Sequence, residues 1–395
     1  MTCQHCSIIP SYILKDIAAS SNVPQNVRDI TTKSLADKAA IHHARSIAQG
    51  TDLGPSAALT AAGPAPRPLN RKIHNARQWG FRDLPGILVF EDGNAAAQTL
   101  TNKSIKNVHD HFQKVFDFYQ KVFNHNSYDG NGAKLLISVH FDGDPNPGYN
   151  NAFWMPDPNP HKSQWAFGDG DFLLFDNFTN ILDISAHEFT HAVVEHMGIL
   201  PYHYQSGTLN ESMADVFGSM IKHYFHPDGQ QKAEDADWLI GEGLWLLPAG
   251  RGGRALRDME HPGTAFDIVG VTSNSQTAHM NDYADLPDTE DGDYGGVHIN
   301  SGILNRAFVL VAKVLGGFSW EVAGPIWYAS LMDPSLHAVF TRNGRPIDDH
   351  DPELIPLTEN TFRVFADLTI RHARAHSPNA ETVVKNAWRK VGVVH

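Results

Sequence analysis

The spacing of apolar residues changes several times along this chain, and each change predicts an element. Ile8-Ile9-Pro10-Ser11-Tyr12-Ile13-Leu14 is an apolar patch around a proline, followed by two stretches of helical periodicity, Val27–Ala40 and Ile41–Ala48. Leu84–Phe90 has turn and strand character. Ile105, Val108, Phe112, Val115, Phe118, Tyr119 and Val122 fall on one helical face, which predicts an amphipathic helix. The Asp129-Gly-Asn-Gly132 turn then leads into an apolar strand, Leu135–Phe141. Tyr149–Trp154 reads as an edge strand and Phe167–Asp171 as a tight turn. Beyond Tyr202 the pattern is mainly helical, with periodic stretches at 302–315, 319–332, 359–376 and 379–391, while 250–290 is loop-rich.

Composition divides the chain further. Residues 51–70 are rich in Gly, Ala and Pro, the composition of an extended, protease-accessible linker. The expected organisation is a short pro-segment at 1–50, the linker at 51–70, an N-terminal lobe at 71–200 and a helical C-terminal lobe at 201–395. Hydrophobic residues make up 42% and charged residues 19%, as in globular proteins. A net charge of −13 argues against nucleic acid or an anionic membrane as partner and leaves room for cations. No run approaches eighteen apolar residues, so no membrane span is expected. The start lacks the basic head and long apolar stretch of a standard secretory signal. Cys3 and Cys6 are the only cysteines and build no disulfide framework; such a pair can be redox-active, half of a metal site, a source of a thiolate for a catalytic zinc in a latent form, or simply two thiols.

Chemistry concentrates in Asp183-Ile-Ser-Ala-His187-Glu188-Phe-Thr-His191. Two histidines four apart share one helical face and can converge on one zinc ion. Glu188 then sits beside the metal, where a carboxylate can take a proton from zinc-bound water. A third ligand follows at Glu211, within Asn210-Glu211-Ser-Met-Ala-Asp215 on a second helical pattern. Two histidines and a glutamate with an open fourth position form the ligand set of a hydrolytic zinc site. Asn210 and Asp215 can accept hydrogen bonds from the far ring nitrogens and fix the imidazoles. In Asp293-Tyr-Gly-Gly-Val-His298, a glycine-rich turn can present His298 to a cleft, with Asp293 holding its tautomer, as a candidate oxyanion donor.

Taken together, Asn-Asn-Ala-Phe-Trp at 150–154, His-Glu-Phe-Thr-His at 187–191, Asn-Glu-x-x-x-Asp at 210–215, Leu256-Arg257 and Gly-Gly-Val-His-Ile-Asn-Ser at 295–301 make the sequence resemble the thermolysin-like zinc metallopeptidases. The resemblance runs from about residue 72 to the C-terminus. The N-terminal Ile-Ile-Pro-Ser-Tyr-Ile-Leu looks like the short pro-segment of the protealysin-type branch. It implies an α+β fold of two lobes, the first β-rich and the second mainly helical, with the active-site cleft between them. It also implies an endopeptidase made as a zymogen, with the pro-segment as intramolecular inhibitor. His187, His191 and Glu211 would bind zinc, Glu188 would assist attack of zinc-bound water, and His298 and Tyr202 would donate to the oxyanion, with Asp293 orienting His298. Arg257, Asn151 and Ala152 would hold substrate backbone. Phe175, Phe178, Ile184, Ile240 and Leu256 would line an apolar pocket that favours a large hydrophobic residue on the amine side of the cut.

Relatives with paired calcium sites carry carboxylates at positions matching Asp183, Asp237 and Glu242, and also at Lys222 and Leu239. Neither of the last two is acidic, which predicts at most one calcium. The family is largely extracellular, so secretion is favoured, with cytoplasmic action or non-classical export as alternatives. A zinc aminopeptidase and a silent binding protein on a peptidase scaffold are competing readings. The first would need an acidic anchor for a free amino terminus, and no Gly-x-Met-Glu-Asn type motif is present. The second would require loss of Glu188, His298 or a ligand.

Overall fold

The computed structural model describes residues 6–48, 68–77, 83–94, 100–142, 148–157, 159, 161–197, 200–247, 253–342, 345–347 and 354–395. Cys3 and all but the last three residues of the expected linker lie outside the described residues.

The chain opens with helix α1, Ser11–Ala19, entered from Pro10 and burying Ile13, Leu14 and Ile17. Helix α2 runs unbroken over Gln25–Ala48. The two periodic stretches expected there are one helix, because the Ala39-Ala40 junction holds two strong helix formers and no Gly or Pro breaks it.

A sheet is assembled from β1 (Arg71–Asn75), β2 (Ile87–Glu91), β3 (Leu135–Phe141), β4 (Ala152–Met155) and β5 (Gln164–Gly168) in the order β2-β1-β3-β5-β4. β1–β3 and β3–β5 pair in parallel, while β1–β2 and β4–β5 are antiparallel. β4 lies at the edge, as its pattern predicted. β1 was not legible: only Ile73 is apolar, and buried Arg71 is held by an ion pair to Asp92 at 2.9 Å. The expected turn at Phe167 begins later, because Phe167 and Gly168 still belong to β5. Helix α3, Lys103–Phe123, covers the sheet; Asn102 caps it and Phe112 sits edge-on to Trp165 and Phe189.

Helix α4, Leu182–Met197, and helix α5, Tyr204–Tyr224, are almost wholly buried. Gly218 of α5 permits their close approach, since a Cβ there would stand 3.1 Å from the Asp183 carbonyl. A ribbon of β6 (Leu239–Ile240) and β7 (Arg257–Asp258) places Ile240 opposite Arg257, and a second ribbon, β8 (Asp267–Ile268) and β9 (Thr272–Ser273), follows. Helix α6, Asp293–Leu315, begins with a kink in which Tyr294, Gly295 and Gly296 take φ of 50°, 83° and 78°. The remaining helices, α7 (Ala323–Leu331), α8 (Pro334–Ala338), α9 (Leu354–Thr358), α10 (Thr361–His376) and α11 (Pro378–Lys390), close the C-terminal region, with a ribbon of β10 (Thr341–Arg342) and β11 (Arg345–Pro346) between α8 and α9. Trp327 stacks on Trp388 at their centre. The helix expected at 319–332 starts only at Ala323, because Ser319–Val322 form a turn. A β-sheet N-terminal region thus precedes a helical C-terminal region.

Candidate active site

Helical spacing brings His187, Glu188 and His191 onto buried turns of α4, each 0% exposed. The two imidazoles stand perpendicular, with Nε2 atoms 2.9 Å apart. Their far nitrogens are engaged: His187 Nδ1 with Asp215 Oδ1 at 2.9 Å, and His191 Nδ1 with Asn210 Oδ1 at 2.8 Å. Each ring is thus held at Nδ1 and turns its Nε2 toward the shared point. From α5, Glu211 approaches that point with Oε2 3.5 Å from His187 Nε2 and Oε1 3.5 Å from His191 Nε2. Its Oε2 has no hydrogen-bond partner among the described residues. Three converging donors with one orphaned oxygen fit a four-coordinate zinc ion with an open position.

His187, Glu188 and His191 also form a compact ligand group, which raises the choice between Glu188 and Glu211 as third donor. Geometry separates them. Glu188 Oε2 accepts from Trp154 N at 2.8 Å on the free edge of β4, whereas Glu211 faces both imidazoles. Electrostatics agrees. Burial alone would push His187 down, yet the Asp215 and Glu211 carboxylates raise it to about 9; burial takes His191 down to about 3. Burial opposes ionisation of Glu211, but His298, His191 and His187 hold its carboxyl well below the usual range. The pocket is therefore preset for positive charge beside Glu211.

Across the kink of α6, Asp293 accepts from His298 Nδ1 at 2.6 Å and from the His298 backbone N at 2.8 Å. His298 Nε2 reaches 3.4 Å from the Tyr202 hydroxyl, which itself donates to Glu211. Arg257 donates to Asp215 from Nη2 at 2.9 Å, and Asn305 Nδ2 donates to the other Asp215 oxygen at 2.9 Å. Phe175, Phe178, Ile184, Ile240 and Leu256 are all buried in the same continuous core, with Leu256 N donating to Ile240 O.

The N-terminal segment occupies this site. Ser7 O lies 3.2 Å from His298 Nε2, and Arg257 Nη1 donates to Ile8 O at 3.1 Å. Ile8 N donates to Ala152 O at 3.2 Å. Asn151 brackets Ile9, accepting from its N at 3.0 Å and donating to its O at 3.1 Å. Ile8 and Ile9 are fully buried, and Cys6 packs against Tyr202 and Val297. From α2, Lys33 pairs with Asp142 at 2.8 Å, and buried Lys38 reaches toward Ile9 O at 3.5 Å among Glu290, Asp293 and Glu211. Sequence reasoning identified the apolar patch but not which bonds it makes. It missed Lys38, which reads as an ordinary solvated helical lysine, and Asn305, whose polar position inside an apolar helix was the available signal.

Asp183 and Asp237 both face a lysine ammonium. Lys222 Nζ stands 2.6 Å from Asp237, 2.7 Å from Leu239 O and 3.8 Å from Asp183. An ammonium at that point repels a divalent ion, so the cluster does not fit a calcium pair.

Comparison with known proteins gives a consistent result. Residues 69–195 match the family model for the thermolysin metallopeptidase catalytic domain, and 199–342 match that for its alpha-helical domain. The chain is 35% identical to protease PrtS of Photorhabdus sp. (strain Az29), covering 98% of this chain and 91% of that protein. It is 37% identical to an extracellular metalloprotease of Pectobacterium carotovorum subsp. carotovorum, over 98% and 96% respectively. Its structure resembles the precursor of protealysin, a metalloproteinase from Serratia proteamaculans, with a TM-score of 0.77 and 34% identity over 98% of this chain and all of that one. Among the described residues no helix is long and apolar enough to cross a membrane.

Proposed function

This chain belongs to the thermolysin metallopeptidase family and is a metalloendopeptidase; from that premise we propose a zinc enzyme held latent by its own N-terminal segment. His187, His191 and Glu211 would hold a zinc ion, which would supply Lewis acidity. Glu188 acts as general base, taking the proton of the attacking water and passing it to the leaving amine. Its carboxylate, anchored on Trp154 N, lies one strand repeat from Ala152 O, the acceptor for the Ile8 amide. His298 and Tyr202 donate to the developing oxyanion, and Asp293 keeps His298 in register. Arg257, Asn151 and Ala152 hold the peptide backbone.

The single observation that carries this reading is the N-terminal segment itself: a stretch of peptide backbone bonded to His298, Arg257, Ala152 and Asn151. A protein main chain lying there supports both the peptide substrate class and inhibition by the segment. The buried apolar set Phe175, Phe178, Ile184, Ile240 and Leu256 supports preference for a large hydrophobic residue on the amine side of the cut. The relative named an extracellular metalloprotease supports secretion. Lys222 supports at most one calcium near Asp183, Asp237 and Glu242. Digestion of an unfolded protein by the trimmed, zinc-loaded chain tests specificity: mass spectrometry should find new N-termini dominated by Leu, Ile and Phe. New termini that are mostly polar would reject the pocket assignment, and stepwise loss from the N-terminus would favour the aminopeptidase reading.

A further inference from the structure

The N-terminal segment fills the cleft in a definite direction. Along the chain, Ser7 O meets His298, Ile8 O meets Arg257, and Ile9 meets Asn151. A peptide running the opposite way would meet these groups in reverse order. Strand geometry explains the register. Asn151 O is turned inward to accept from Gly168 N, so Ala152 and Trp154, which alternate with Phe153, face the free edge of β4. On that edge Ala152 O takes the Ile8 amide while Trp154 N takes the Glu188 carboxylate. The segment thus meets the sheet edge through one backbone bond, at Ala152, one strand repeat from the residue whose amide holds Glu188.

We infer that the Ser7–Ile8 peptide bond is a self-processing site, presented to Glu188 and His298 in the register of a substrate. The inference rests on the endopeptidase reading above and assigns the bond that the site would cut first. Water adds its hydroxyl to the Ser7 carbonyl carbon, the carbon–nitrogen bond breaks, and the proton goes through Glu188 to the Ile8 nitrogen. The products are a Ser7 carboxylate and an Ile8 ammonium. The cut removes the Ser7 carbonyl from His298 and the packing of Cys6 on Tyr202 and Val297. It leaves the contacts of α1 and α2 in place, among them Lys33 with Asp142 and Ser20 with Gly270 O. Removal of residues up to Ser7 therefore weakens the segment's grip without ejecting it.

The test follows the N-terminus of the zinc-loaded full chain by mass spectrometry, beside a Glu188→Gln variant. A new N-terminus at Ile8 should appear at a rate independent of protein concentration, as an intramolecular cut requires. The variant should slow it by ~10²–10⁴-fold. A blocked synthetic peptide covering residues 4–12, offered to trimmed enzyme, should be cut between Ser7 and Ile8. If trimmed enzyme digests casein but leaves this bond intact in both chain and peptide, the inference falls and the endopeptidase reading stands. If the trimmed enzyme cuts neither casein nor peptide, both fall together.

Discussion

Arg257 and Asp215 form a buried ion pair, with Nε 2.8 Å from Oδ2. The same carboxylate holds His187 Nδ1, so one side chain orients both a candidate metal ligand and the candidate backbone clamp. Asp215→Asn should weaken zinc binding by ~10–100-fold, because His187 loses its orienting partner. It should also lower stability by about 3–5 kcal/mol, because the Arg257 charge stays buried without a counter-charge. Competition against a chromophoric chelator and a denaturant titration measure the two effects. Unchanged zinc affinity would show that Asp215 serves Arg257 alone.

His298, on α6, meets the Ser7 carbonyl, and Tyr202, two residues before α5, stands beside His298. If they act on the transition state, His298→Ala and Tyr202→Phe should each lower kcat by ~10²–10³ with KM nearly constant. A rise in KM at constant kcat would instead assign them to ordinary substrate binding.

Lys222 takes the place of a cation between Asp237, Asp183 and Leu239 O. A calcium-selective chelator, added with zinc kept saturating, should therefore release no more than one calcium ion per chain. Isothermal titration should find no more than one calcium ion at this locus; two tightly held ions would refute the assignment. Lys222→Ala should lower stability, since it removes the cation beside buried Asp183.

Asp183 supplies a pH signature. Burial outweighs the pull of Lys222 and raises its carboxyl from 3.8 to about 6. Between those values the folded state keeps a proton that the unfolded state has released. The contribution of this group to stability therefore falls as pH rises through the window and is level above about 6. Two units correspond to about 3 kcal/mol. In an inactive Glu188→Gln background, Asp183→Asn should remove this dependence, so that stability with Asp183 minus stability with Asn drops between pH 4 and pH 7. A difference that stays flat or rises would place the titration elsewhere.

Much of the site was legible because its chemistry is written at helical spacing. His187 and His191 four apart on α4, and Asn210, Glu211 and Asp215 on α5, had to share faces once those helices formed. The glycine kink before His298 was equally visible, since Gly295 and Gly296 adopt the left-handed backbone that their residue type permits. What could not be read depended on long-range pairing. β1, with its polar Arg-Lys-Ile-His-Asn sequence, is a strand only because β2 and β3 flank it and Asp92 neutralises Arg71. Lys38 gives no local sign of burial, because its acidic surroundings come from Glu211, Glu290 and Asp293, far along the chain. The register of Ser7, Ile8 and Ile9 was hidden for the same reason: it is set by Asn151, Arg257 and His298, which three separate elements bring together.

The most direct test of the account is cleavage of an N- and C-terminally blocked peptide carrying an internal leucine, using chain freed of its N-terminal segment. Rates would be compared for zinc-loaded wild type, chelated wild type and zinc-loaded Glu188→Gln. The account predicts cutting on the amino side of the leucine, abolished by chelation, restored by zinc, and reduced ~10²–10⁴-fold in a variant that still binds zinc. Equal rates in wild type and Glu188→Gln, or no cutting by trimmed protein with zinc bound, would contradict it.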